Sequence, residues 1–237
     1  MESQTTTSAK TLVQSMFSVG AQYGYRRSKR HPSVAPYIFG EKNNVEIIDL
    51  EKTEDLLASA LLYVKSLGAT RKQLLFAGGK PEAAVAVKAA AEALQQPYRN
   101  GRWIGGTLTN LPEIRKRVER LETLRGERDR GELSKYTKKE RLMIDREIEH
   151  LEQNFDGVVS MKSLPGAVFV VDPTHEHTAV HEARRMHIPV IALAGSDCDI
   201  SHIDYPVVAN DAAHGSITFF VNEIARAYEE GINTKNG

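Results

Sequence analysis

The chain has 237 residues, 41% of them hydrophobic, enough for one large α/β domain or two small ones with a core that needs no staples. Its 31 Lys plus Arg balance 31 Asp plus Glu, so no global field draws it to a polyanion and any nucleic-acid contact must come from charge sorted into patches. A single cysteine, Cys198, excludes an internal disulfide, and no stretch reaches the ~18 apolar residues of a membrane span; with a polar Met1–Lys10 lacking a secretory apolar run, a cytoplasmic protein is expected.

Reading from the start, the stretch between Ser3 and Gly40 holds five Lys/Arg and no acid. Arg26, Arg27, Lys29 and Arg30 lie together there, flanked by Tyr23, Tyr25 and Tyr37. Val45–Ile48 is the first of four apolar runs, followed by Leu74–Ala77, Val168–Val171 and Val190–Leu193. Runs without alternation predict parallel strands covered on both faces. Helical spacing between them predicts helices over Glu51–Leu67, Glu82–Leu94, Thr174–Met186 (capped by Thr174 after Pro173) and Ser216–Glu230, the last ending at Gly231 as C-cap. Strand–helix alternation of this kind implies right-handed βαβ units.

Two loops carry candidate binding groups. Ala77-Gly78-Gly79-Lys80-Pro81 joins a strand to a helix, where free N–H groups and Lys80 suit a phosphate, although neither the P-loop nor the GxGxxG spacing is present. Gln96 to Pro112 is again free of acid and holds Tyr98, Arg99, Arg102 and the only tryptophan, Trp103. Arginine beside aromatic groups on a glycine-rich loop suits RNA, through phosphate contacts and base stacking. The plainer alternative makes Trp103 a core anchor and the arginines solubility charges.

Leu111–Phe155 breaks the alternation. Leu111, Ile114, Val118 and Leu121, then Ile144, Ile148, Leu151 and Phe155, form two narrow apolar stripes, with Thr137 and Glu140 as a capping box for the second helix. This predicts a coiled-coil hairpin at 111–155 inserted into an α/β domain made of 1–110, including the basic segment 1–40, and 156–237. Its 12 Lys/Arg and 11 Asp/Glu nearly cancel, which reads as a solvated, salt-bridged surface.

Metal and catalytic constellations are poor. His177 and His181 share a helix face, but Thr178 stands where HExxH needs its glutamate, and no CxxC completes a zinc cage. Asp197, Asp199, Asp204 and Asp211 gather near the end of the sheet without a nucleophile–base pair, and Cys198 between two aspartates has a blunted thiol. No catalytic residue and no metal ligand is assigned.

Several blocks together resemble the ribosomal protein S-two family: Pro36–Thr53 (PYIFGEKNNVEIIDLEKT), Asn100–Asn110 (NGRWIGGTLTN), Val170–Leu193 (VVDPTHEHTAVHEARRMHIPVIAL) and Asn210–Ala225 (NDAAHGSITFFVNEIA). The resemblance runs from about Thr11 to Ile232, and the length of the helical insertion resembles the bacterial or organellar form. It implies a flavodoxin-like (Rossmann-like) parallel sheet with helices on both faces and a protruding coiled-coil hairpin. It further implies a structural, non-enzymatic role on the small ribosomal subunit, in contact with small-subunit rRNA and neighbouring ribosomal proteins, with no cofactor, small-molecule substrate or membrane. Arg26, Arg27, Lys29, Arg30, Lys80, Arg99, Arg102 and Trp103 then become the RNA-binding candidates.

The sequence departs from the family's GxHxGH pattern, with Gln22 and Tyr25 at the histidine places. It departs again at Gly195-Ser196-Asp197-Cys198-Asp199-Ile200 and at Asp211-Ala212. These departures predict loss of a metal pocket, with no zinc bound, and put in question the docking of the large OB-repeat ribosomal protein that sits beside the family in many bacteria. The competing reading is a Rossmann-like enzyme holding a phosphorylated small molecule at Gly78-Gly79-Lys80; shared architecture alone does not establish it.

Overall fold

The computed structural model describes residues 11–234; the first ten residues of the basic segment lie outside them. In chain order come α1 (Leu12–Ser18), β1 (Tyr23–Arg26), β2 (Ile38–Lys42), β3 (Val45–Ile48), α2 (Leu50–Ala69), β4 (Leu74–Ala77), α3 (Pro81–Ala93) and β5 (Tyr98–Arg99). They are followed by α4 (Leu111–Asp129), α5 (Lys138–Phe155), β6 (Ala167–Val171), α6 (His177–Arg185), β7 (Val190–Ala194), β8 (Tyr205–Val208) and α7 (His214–Thr234).

β4 to β8 form a parallel sheet in the order β5-β4-β6-β7-β8, which is the flavodoxin-like winding with its direction reversing between β4 and β6. Alternate strand residues feed two cores. Leu74, Phe76, Phe169, Ile191 and Leu193 face α2, α3 and α7. Leu75, Ala77, Val168, Val170, Val190 and Ala192 face α6 and the apolar stripes of α4 and α5. Burial on both sides is why these strands read as unbroken apolar runs.

One expected parallel strand is corrected. β3 belongs to a separate antiparallel sheet, β1-β3-β2. Asn43 and Asn44, at φ 53° and 62°, close a two-residue hairpin between Lys42 and Val45, a turn that asparagine tolerates in the left-handed region. Two helix ends are also corrected. Thr174 does not cap α6; the Asp172 carboxylate accepts from the N–H groups of Thr174 and His175 at 2.9 and 3.0 Å, delaying the helix to His177. Gly231 is not a C-cap but lies inside α7, where an added Cβ would meet the Lys65 carbonyl oxygen at 2.1 Å. Gly68 of α2 is its counterpart, 2.3 Å from the Tyr228 carbonyl by the same measure, so two bare glycines let α2 and α7 approach closely.

α4 and α5 lie side by side along Ile114, Val118, Leu121 and Leu124 on one and Ile148, Leu151 and Phe155 on the other. Ion pairs Arg120–Glu147 (3.0 Å) and Arg125–Glu152 (2.9 Å) join them, and Thr137 with Glu140 forms the expected capping box. No described helix is long and apolar enough to cross a membrane.

Candidate nucleic-acid interface

The loop between β5 and α4 is organised by a residue that composition does not single out. Glu182 faces inward from α6 and is almost fully buried. Its Oε1 accepts from Trp103 Nε1 (3.2 Å) and the Gly106 N–H (2.7 Å). Its Oε2 accepts from the N–H groups of Leu108 (2.9 Å) and Thr109 (3.1 Å) and from the Thr109 hydroxyl (3.1 Å). Burial pushes this carboxyl up, but the donors from Leu108, Gly106, Thr109 and Trp103 outweigh it and hold the group below the usual carboxylate range. The carboxylate thus pins the approach to α4.

Arg99 is locked beside it. Its Nε donates to the Arg102 carbonyl (2.7 Å), and its Nη1 donates to the carbonyls of Gln153 (2.7 Å) and Asn154 (2.9 Å) in the last turn of α5. A guanidinium there satisfies carbonyls that the helix end leaves open. Burial lowers its pKa, partly countered by Glu176.

The Gly78-Gly79-Lys80 loop sits where the sheet order reverses, the place at which such folds receive ligands. Here the chain's own carboxylates occupy it. The Gly79 N–H donates to Glu176 Oε1 at 2.8 Å, and Lys80 Nζ pairs with Asp172 and stands 3.8 Å from Asp211. Burial disfavours the Lys80 charge, but Asp211 and Asp172 outweigh it and raise the pKa above its ordinary value. Burial raises Asp211 to about 7 in spite of Lys80.

Asp172, Cys198 and Asp211 bring ligand atoms within 4.8 Å of one another. This donor set does not suit zinc. The Lys80 ammonium already fills the cation's role against two of the three donors. Burial together with Asp211 and Asp172 pushes the Cys198 thiol well above its normal value. Among the described residues no imidazole joins the group.

Three of the eight expected RNA contacts are therefore turned into the fold: Lys80 by its ion pair, Arg99 by helix carbonyls and Trp103 by Glu182. The other five remain at or near the surface. Arg26, Arg27, Lys29 and Arg102 are exposed, with Arg27 3.8 Å from Glu41 and Lys29 over the Tyr25 ring. Arg30 is half-buried against Glu46 at 3.2 Å. Two contacts to the loop after β7 hold this N-terminal segment: the Tyr25 N–H donates to the Ser196 hydroxyl (2.8 Å) and the His31 N–H to the Ser196 carbonyl (3.0 Å). Sequence reading missed Glu182, Glu176 and Ser196. Apart from the adjacent His175 beside Glu176, their partners lie 73 to 171 residues away, and only the inward side of an otherwise polar α6 hinted at the first.

The family model described as Ribosomal protein S2 matches residues 16–231. The chain belongs to the ribosomal protein S2 family. It is 38% identical over 223 residues to the small ribosomal subunit protein uS2 of Pseudoalteromonas translucida, covering 94% of this chain and 92% of that one. It is 40% identical over 220 residues to the protein uS2c of Rhodomonas salina, with 93% and 90% covered. Against the uS2 of Spiroplasma citri the identity is 42% over 228 residues, 96% of this chain but only 64% of that longer relative.

Proposed function

We propose that this S2-family chain is a structural constituent of the small ribosomal subunit, working in the cytoplasm at the ribosome, and that it makes no chemical step of its own. Family membership across nearly the whole chain carries this reading. The enzyme alternative loses its support in the Gly78-Gly79-Lys80 loop, whose anion-binding groups are saturated by Glu176, Asp172 and Asp211.

Arg26, Arg27, Lys29 and Arg102, with the half-buried Arg30 beside them, are the proposed rRNA contacts. They would act on phosphates and shape rather than on base edges. Lys80, Arg99 and Trp103 support them from within. Residues 111–155 form the inserted coiled-coil hairpin of this reading, and the remainder is the α/β body that sits against rRNA and neighbouring small-subunit ribosomal proteins. In a binding assay with small subunits depleted of this protein, changing Arg26, Arg27, Lys29 and Arg30 together to Ala makes rebinding weaker and less steep in salt. Wild-type rebinding by that variant would remove the proposed face.

A further inference from the structure

α6 sorts its charges by face. Glu182 points inward, as does the preceding Glu176, whereas His177, His181, Arg184 and Arg185 are exposed. Those four positions follow the helical repeat, so they form one stripe along the helix. The stripe borders an open groove of about 860 Å³, whose other wall is built by His187 and His202 near the starts of β7 and β8. A second concavity of about 300 Å³ continues it past His177 towards Thr174.

Neither Arg184 nor Arg185 has an ion-pair partner among the described residues. Two acids stand at the rim, each tied to the fold by a backbone hydrogen bond, and Asp199 also faces His202 of the groove wall. Asp204 Oδ2 accepts from the Val190 N–H at 2.8 Å, and Asp199 Oδ1 accepts from the Ser201 N–H at 2.9 Å while facing His31. Cations in a last helical turn have a plainer use, offsetting the helix dipole. That use does not account for the two histidines nearer the start of α6 or for the two imidazoles across the groove.

We propose that this groove is a second RNA contact, taking backbone phosphates on Arg184 and Arg185, with the imidazoles of His177, His181, His187 and His202 as flanking donors. The inference rests on the ribosomal reading and adds to it a surface on α6. No Phe, Tyr or Trp lines the groove, so phosphate and shape, rather than stacking on large rings, carry the contact.

The test uses the full chain and small subunits depleted of it, with affinity measured from 50 to 300 mM monovalent salt. R184A/R185A binds about 10- to 100-fold more weakly at 0.1 M salt, and its log–log salt slope is shallower by roughly 2. R184K/R185K, which keeps both charges, binds within about 3-fold of wild type and guards against a loss of fold. An unchanged affinity and slope for R184A/R185A beside a binding wild-type chain overturns the groove and leaves the ribosomal reading standing. Weaker binding at an unchanged slope, with cross-links from the groove to ribosomal protein rather than RNA, assigns it to an acidic protein face and also overturns the proposal. Failure of the wild-type chain to rebind sinks the ribosomal reading and this inference together.

Discussion

Replacing Glu182 by Gln keeps the side chain's shape while removing half of its accepting capacity. The carboxylate takes five hydrogen bonds, two on Oε1 and three on Oε2. An amide keeps one oxygen. If its nitrogen turns towards the Oε1 site, Trp103 Nε1 and the Gly106 N–H face another donor. If it turns the other way, the N–H groups of Leu108 and Thr109 do, although the Thr109 hydroxyl can rotate. Either way two donors lose their acceptor, at about 1–3 kcal/mol each, so E182Q should cost on the order of 4 kcal/mol. For a chain of this length that lowers the unfolding temperature by roughly 10 °C. Urea titration at pH 7 reads the difference directly. The pH dependence has a defined sign, because the folded carboxyl lies below its unfolded value. Its stabilisation is complete above the unfolded value, about pH 4.5, and is lost as pH falls through the lower folded value. The gap between wild type and E182Q therefore closes on acidification. A variant within about 1 kcal/mol of wild type at pH 7 would refute the idea that one buried carboxylate organises this loop.

Three further outcomes follow from the same geometry. K80M leaves Asp172 and Asp211 without their cation and should cost about 3–5 kcal/mol in urea titration while leaving the salt slope of subunit binding unchanged; a shallower slope at full stability would return Lys80 to the RNA face. G231A drives a methyl into the Lys65 carbonyl and should destabilise by about 2 kcal/mol or more, read as a lower melting temperature; a neutral result would mean that α2 and α7 separate easily. Native mass spectrometry of the purified chain should show no bound zinc, and one zinc per chain would contradict the account of the Asp172–Cys198–Asp211 group.

What the sequence made legible was depth averaged over an element. Leu74–Ala77, Val168–Val171 and Val190–Leu193 are buried on both faces, so their composition alone marks them as parallel strands. VEII at Val45–Ile48 resembles them only because three of its four residues are apolar. Glu46 is buried against Arg30, and the hairpin at Asn43-Asn44 sets the pairing. Gly231 carries the composition of a helix stop, but what requires glycine there is the Lys65 backbone of another helix, which local sequence does not encode. The site was harder. Arg99 and Trp103 stand in an acid-free loop and Lys80 in a glycine loop, and the residues that engage them are not their neighbours along the chain. In space they are Asp172, the α5 carbonyls and Glu182. Charge read along a loop says what a side chain is, and its depth and partners come from contacts many residues away.

The most direct test of the ribosomal assignment is sedimentation of a cell lysate through a density gradient at moderate salt, with the chain followed by antibody. It should travel with the small subunit at about 0.1 M salt and be released progressively as salt rises, as phosphate contacts require. A chain that stays at the top of the gradient under every salt condition, while other small-subunit proteins sediment, would contradict the account.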